Sequence, residues 1–214
     1  MKKQIYVAYT GGTIGMRPSS KGYVPAAGFL SDTIAKMPEF HRQEMPDFTI
    51  NEYESLIDSA DMSPKDWQQI ADDIQQNYQD YDGFIILHGT DTMAYTASVL
   101  SFMLENLGKP VIVTGSQIPL AQLRSDGQEN LLNALYLAAN YPIAEVSLYF
   151  NNKLFRGNRS RKLDADGFDA FGSPNFPVLL KAGINIEVMA GKVTPISQQQ
   201  LLVSNVTPQP VGVV

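Results

Sequence analysis

Cysteine is absent from the 214 residues. That removes disulfides, thiolate nucleophiles and Cys-ligated metals from consideration. Histidine is nearly absent too: His41 and His88 stand far apart, with no companion at ligand spacing, so no metal site is expected. Basic residues are in deficit, 16 Lys and Arg against 22 Asp and Glu, for a net charge of −6. This balance argues against a general nucleic-acid binder. No apolar run approaches the ~20 residues of a membrane span. The N-terminus enters a strand-like segment without the charged-then-apolar pattern of a signal peptide. The expectation is a soluble, cytoplasmic protein with no membrane partner. Internal repeats and low-complexity tracts are also lacking.

At 44% hydrophobic and 18% charged, the chain has enough apolar material for one large domain, or a domain plus part of another. Its most informative stretch comes early. Ile5-Tyr6-Val7-Ala8-Tyr9 reads as a strand, and Thr10-Gly11-Gly12-Thr13-Ile14-Gly15 breaks it with a glycine-bracketed turn. Glycine permits positive φ and close backbone approach, and neighbouring N–H groups in such a turn can converge on one oxygen. A threonine hydroxyl inside it is a candidate nucleophile beside an oxyanion site. The spacing is not GxGxxG and no Lys-Ser/Thr pair follows, which weakens dinucleotide and nucleoside triphosphate readings.

A polar loop over Met16 to Phe29 follows, of the kind that serves as a lid, with Tyr23 its most chemically capable residue. Phe48 to Glu54 alternates as a strand and leads into Asp58-Ser59-Ala60-Asp61. Ser63-Pro64-Lys65-Asp66 has the order of a helix start, and Trp67, Ile70, Ile74 and Tyr78 give that helix an apolar stripe. Gly83 to Leu87 is a continuous apolar run, as in a strand covered on both faces. It ends in His88-Gly89-Thr90-Asp91-Thr92. A helix follows, expected to run to Gly108-Lys109-Pro110, where Asp91 would serve as N-cap. Val111 to Thr114 predicts the next strand, Ser125-Asp126 the cap of another helix, and Val146 to Phe150 a further strand.

Alternation at this pitch predicts an α/β fold, a flavodoxin-like or Rossmann-like sandwich with a mainly parallel central sheet. Such sheets bind ligands beyond the carboxyl ends of their strands. The Thr13 turn, Asp58-Ser59 and Gly89-Thr90-Asp91 all occupy such ends and are expected to converge. Farther on, Arg156 to Lys162 reads as a basic loop, and Phe176 to Leu180 and Ile184 to Met189 as short strands split by Lys181-Ala182-Gly183. The expected division is a catalytic domain over 1–190, an inter-domain linker over 191–210, and the start of a truncated second domain at 211–214. An amide hydrolase lacking Cys, metal and a Ser-His pair needs a hydroxyl nucleophile, a base and oxyanion donors. Thr13 supplies one hydroxyl. Thr90 with Asp91 and an inward-reaching lysine supplies a second set, and Lys162, near Arg159 and Arg161, is the candidate lysine.

Tyr9-Thr10-Gly11-Gly12-Thr13-Ile14-Gly15 together with His88-Gly89-Thr90-Asp91-Thr92-Met93 closely resembles the two signature motifs of bacterial-type L-asparaginases. The flanking Met37-Pro38-Glu39-Phe40-His41-Arg42 and Thr114-Gly115-Ser116-Gln117 are most similar to the cytosolic type I group, as is Ala60 after Ser59. The resemblance implies cofactor-free hydrolysis of L-asparagine to L-aspartate and ammonia through an acyl-enzyme. It makes Thr13 the nucleophile and Tyr23 its proton-relay partner, with Thr90, Asp91 and Lys162 a triad-like set. Asp58, Ser59, Thr90 and Asp91 would bind substrate, Asp91 pairing with the α-ammonium. It further implies a homodimer or homotetramer, and a smaller C-terminal domain that this sequence stops short of. The remaining readings are a catalytically silent amino-acid-binding domain, or a related amidase or glutaminase.

Overall fold

The computed structural model describes residues 2–20, 22–196 and 200–209. The first strand, β1 (Gln4–Gly11), ends in a 3-10 turn over Thr13–Gly15. The expected polar loop is instead a small hairpin, β2 (Met16–Ser19) and β3 (Gly22–Pro25), followed by helix α1 (Phe29–Ala35). Gly22, at φ 95°, and the Ser19 Oγ–Gly22 carbonyl hydrogen bond close the hairpin turn, which a polar composition alone does not reveal. Next comes β4 (Asp47–Ile57), as the alternation predicted.

Helix α2 (Pro64–Asn77) starts where expected. Pro64 is its first residue, and the Asp66 carboxylate accepts from the Ser63 N–H and hydroxyl at 2.7 and 2.6 Å. Strand β5 (Gly83–Leu87) is buried throughout. Helix α3 (Met93–Met103) is capped by Thr92, not Asp91, and stops earlier than expected. The reason is tertiary: β6 (Leu104–Glu105) pairs antiparallel with β14 (Leu202–Val203), and Asn106 takes φ 58°.

Strand β7 (Val111–Thr114), helix α4 (Gly127–Asn140) and β8 (Val146–Phe150) complete the regular alternation. Beyond it the chain turns back. Strand β9 (Lys153–Arg156) runs up to the start of the expected basic loop, which itself holds a 3-10 turn at Gly157–Arg159 and β10 (Arg161–Lys162), paired with β11 (Phe171–Gly172). The two late strands are β12 (Leu180–Ala182) and β13 (Ile186–Val188), so Lys181-Ala182 belongs to a strand rather than to the break between two.

The central sheet has the order β13-β12-β9-β8-β7-β5-β1-β4. From β4 to β8 it is parallel; β9, β12 and β13 are added antiparallel. Counting the parallel strands in chain order gives 2-1-3-4-5, the flavodoxin-like order, whose direction of winding reverses between β1 and β5. Side chains of β1 alternate between two cores. Tyr6 and Ala8 pack with Ile70, Ile74 and Leu100 of α2 and α3 on one face. Ile5, Val7 and Tyr9 pack with Leu30 of α1 and Leu131 and Leu135 of α4 on the other. Helices on both faces explain why the central strands are continuous apolar runs.

Parts of the expected linker pack against this domain. Val193 bridges Ile143, Leu201 is buried, and the Val206 N–H donates to Gln68. Residues 197–199 and 210 of that linker, and the expected strand start at 211–214, lie outside the described residues. No helix among the described residues is long and apolar enough to cross a membrane.

Candidate active site

The point where winding reverses is crowded with backbone. Gly11 and Gly12 hold φ 136° and 89°. A Cβ on Gly11 would lie 2.2 Å from the Ile57 carbonyl oxygen, and one on Gly12 2.4 Å from the Gly89 nitrogen. Only glycine allows the β1 turn to touch the ends of both β4 and β5. Thr13 follows, half-buried, and its hydroxyl makes no hydrogen bond to the other described residues. Tyr23, on the adjacent hairpin, is 46% exposed, and the structure does not bring its hydroxyl into the polar contacts of the site.

The β4 and β5 turns interlock in the same way. Ser59 is buried, and a Cβ on Gly89 would lie 2.4 Å from its Oγ. The Thr92 hydroxyl donates to the Ser59 carbonyl at 2.7 Å. Asp58 is exposed, its Oδ1 accepting from the Ala60 N–H at 3.0 Å. The three polar clusters expected at strand ends therefore do meet at one edge.

Lys162 reaches this edge from β10. Its Nζ donates to Thr90 Oγ1 at 2.9 Å and to Asp91 Oδ1 at 2.8 Å. The ammonium thus sits between a hydroxyl and a carboxylate, while Arg159 and Arg161 are exposed. The cationic neighbourhood expected around Lys162 is replaced by an ion pair, because Arg161 alternates to the opposite face of β10 and Arg159 stands exposed on the preceding 3-10 turn. Thr90 is buried and Asp91 open to solvent, so one end of the cluster is dry and the other wet.

Two further residues join the site without having been marked for it by sequence. Gln117, just past β7, accepts from Thr90 Oγ1 at 3.0 Å and donates to the Ala165 and Gly167 carbonyls, both at 3.1 Å. Its backbone is held by Asp126, which accepts the Gln117 and Ile118 N–H groups at 3.0–3.1 Å. The available signal was its place after a buried strand. His88 lies fully buried beneath Gly89, and burial pushes its pKa down to about 4 against the opposing pull of its hydrogen bond to the Gly89 carbonyl. The apolar strand before it was the clue that this imidazole points into the core.

The arrangement offers an unengaged hydroxyl on a glycine turn, and a hydroxyl–lysine–carboxylate set across from it. Groups of these types can perform nucleophilic acyl transfer without a metal. Among the described residues no cluster of His, Asp and Glu has the grouping of a metal site.

Comparison with known proteins gives a consistent picture. The family model described as Asparaginase, N-terminal, matches residues 4–194. The L-asparaginase 1 of Escherichia coli K12 is 70% identical over 213 residues, covering 100% of this chain and 63% of that protein. The crystal structure of L-asparaginase I from Vibrio cholerae aligns with a TM-score of 0.93 at 66% identity, over 100% of this chain and 64% of that one. The thermostable L-asparaginase from Thermococcus kodakarensis aligns with a TM-score of 0.78 at 30% identity, covering 94% and 60%. The chain thus spans less than two thirds of the length of these relatives. It belongs to the asparaginase N-terminal family.

Proposed function

We propose that this chain carries the catalytic machinery for hydrolysis of L-asparagine to L-aspartate and ammonia, without a cofactor. The observation that carries the reading is the convergence of the Thr13 turn with Thr90, Asp91 and Lys162, whose Nζ lies 2.9 and 2.8 Å from its two partners. The Thr13 oxygen attacks the side-chain amide carbon, and its proton passes to a base. The tetrahedral species collapses as that proton is delivered to its nitrogen, expelling ammonia and leaving an ester on Thr13. Water, activated at the Thr90–Lys162 pair, then releases aspartate and restores the hydroxyl. Tyr23 relays the Thr13 proton once its hairpin folds over the turn beside it.

Charge complementarity supports the substrate assignment. A zwitterionic amino acid needs acceptors for its ammonium and donors for its carboxylate. Asp91 and Asp58 supply the first, and Ser59 with the N–H groups of the turns supplies the second. Residues 1–190 are the catalytic domain in this reading, and 191–210 lead towards a smaller C-terminal domain beginning at 211–214. The intact protein would be a cytoplasmic homodimer or homotetramer. A Campylobacter jejuni structure described as a probable cytoplasmic L-asparaginase, 28% identical to this chain, is in keeping with that compartment.

Ammonia release from L-asparagine, measured for the 214-residue chain and for Thr13→Ala, tests the reading. Release that vanishes in Thr13→Ala with unchanged thermal midpoint is the expected result. Release that persists removes Thr13 as nucleophile. Aspartate binding without any release, from folded protein, makes this a silent amino-acid-binding domain instead.

A further inference from the structure

A buried chain of hydrogen bonds runs from the outside of the sheet to the site, and nothing in the proposed chemistry uses it. The Trp67 indole N–H on α2 donates to Thr96 Oγ1 on α3 at 2.9 Å. Thr96 Oγ1 lies 2.8 Å from His88 Nε2, and His88 Nδ1 lies 2.7 Å from the Gly89 carbonyl oxygen. Thr96 and His88 are both fully buried. Every proton in this chain has one place to go. A carbonyl only accepts, so Nδ1 carries a hydrogen. An indole N–H only donates, so Thr96 turns its own hydrogen towards Nε2. The imidazole is therefore neutral and in a single tautomer, set from both ends.

The consequence falls on the next peptide. No peptide bond in the described residues is cis, and in a trans peptide the N–H points opposite to the carbonyl. With the Gly89 carbonyl drawn into the core by His88, the Thr90 N–H points away from the buried imidazole. It forms no hydrogen bond to the other described residues, although Thr90 itself is 8% exposed. Buried amides are rarely left without a partner. An oriented, unpaired donor one residue from the turn that Gly12 touches is suited to a substrate oxygen.

We propose that His88 is a positioning residue: held by Thr96 and Trp67, it fixes the Gly89–Thr90 peptide so that the Thr90 N–H is presented to the carbonyl oxygen that becomes negative in the reaction. The kinetic part of this inference rests on the amide-hydrolase reading above; the positioning part does not. Loss of orientation weakens a donor felt mainly in the transition state, so it lowers kcat more than it raises KM.

The test compares His88→Asn with His88→Gln. An asparagine amide nitrogen takes the place of Nδ1 and restores the bond to the Gly89 carbonyl; a glutamine amide takes the place of Nε2 and does not. His88→Gln should lower kcat on the order of 10- to 100-fold with KM within about threefold, and His88→Asn should recover most of that loss at a similar thermal midpoint. Equal losses in the two variants, tracking their thermal midpoints, overturn the proposal. ¹⁵N spectra of the wild-type chain should show His88 protonated at Nδ1 alone, and the Thr90 amide signal should move in His88→Gln and stay in His88→Asn. If wild-type protein releases no ammonia, the activity reading falls while these spectra still decide the positioning. Should His88→Gln not fold, Thr96→Val serves in its place. It frees Nε2 from its donor and should move the Thr90 signal; an unmoved signal again overturns the proposal.

Discussion

Lys162 meets Thr90 and Asp91 across 72 and 71 positions of chain. Magnitudes separate what this lysine does for folding from what it does for chemistry. Its partner Asp91 is 62% exposed at the side chain, and an ion pair so open contributes no more than about 1 kcal/mol. A side chain that moves a proton to or from the reacting group contributes roughly 10²- to 10⁴-fold to rate. Lys162→Met should therefore shift the thermal midpoint little while lowering kcat for ammonia release by at least about 100-fold. A near-normal rate would return Lys162 to the role of a surface charge. The sequence offered the residue and, through the family resemblance, its set with Thr90 and Asp91; the expectation that failed is the cationic company of Arg159 and Arg161, which the fold turned outwards.

His88 belongs to the same scale and has a pH signature. Burial lowers its pKa from 6.5 to about 4 in the folded protein. Between those values the unfolded chain binds the proton and the folded one does not, so stability falls as pH falls. It is full above about 6.5 and declines towards pH 4, by up to about 3 kcal/mol from this group. Urea midpoints of wild type and His88→Asn across that window should diverge, the variant showing the shallower decline. Parallel curves would mean that the imidazole does not stay neutral.

At the scale of elements, the glycine turn after β1 is the part most exposed to single substitutions. A Cβ on Gly12 would press on backbone, the Gly89 nitrogen at 2.4 Å and Cα at 2.6 Å, and φ 89° adds strain of its own. Backbone cannot swing aside as a long side chain does. Gly12→Ala should cost about 2 kcal/mol or more and displace the turn, and a shift near 1 Å is enough for roughly a 100-fold loss in rate. Thermal melts and steady-state kinetics on one preparation check both. A different element effect concerns Lys109, nearly buried at 2% exposure. Its Nζ donates to the carbonyl of Tyr78, the C-cap of α2, and to that of Tyr81 at 2.8 Å, and lies 4.6 Å from the Tyr78 ring centroid. It thus caps the negative end of a helix from a loop 31 residues away. Lys109→Met should destabilise by about 2–3 kcal/mol, read in urea unfolding, with kcat unchanged.

Elements set by local pattern were legible; elements set by partners were not. The capping residues of α2, the alternation of β4 and the apolar runs of β5, β7 and β8 stand in the sequence because burial on one or both faces imposes their period. The end of α3 was misplaced by several residues, since β6 exists only through its pairing with β14 nearly a hundred positions on. Lys181-Ala182 looked like a break until β9 and β13 flanked it.

For the whole molecule, the parallel order 2-1-3-4-5 explains why the site stands where it does. Winding reverses between β1 and β5, their loops leave in opposite directions, and a crevice opens between them. The Thr13 and Thr90 turns flank that crevice, β4 adds Ser59 beside it, and β10 carries Lys162 across the rim. Three of the four come from parallel strands and share one edge by construction.

The sequence by itself determined the α/β alternation, the strand-end placement of Thr13, Ser59 and Thr90, and the classes of chemistry that lack of cysteine and scarcity of histidine exclude. All of these follow from local composition and from periodicities that burial enforces over a few residues. Only the tertiary structure decided the geometry in which Lys162 meets Thr90 and Asp91, that Gln117 joins them, and that Trp67 and Thr96 fix the tautomer of His88. Those contacts join residues 8 to 72 positions apart, and a hydrogen bond at 2.8 to 3.0 Å exists only once the sheet has brought both ends to the same place.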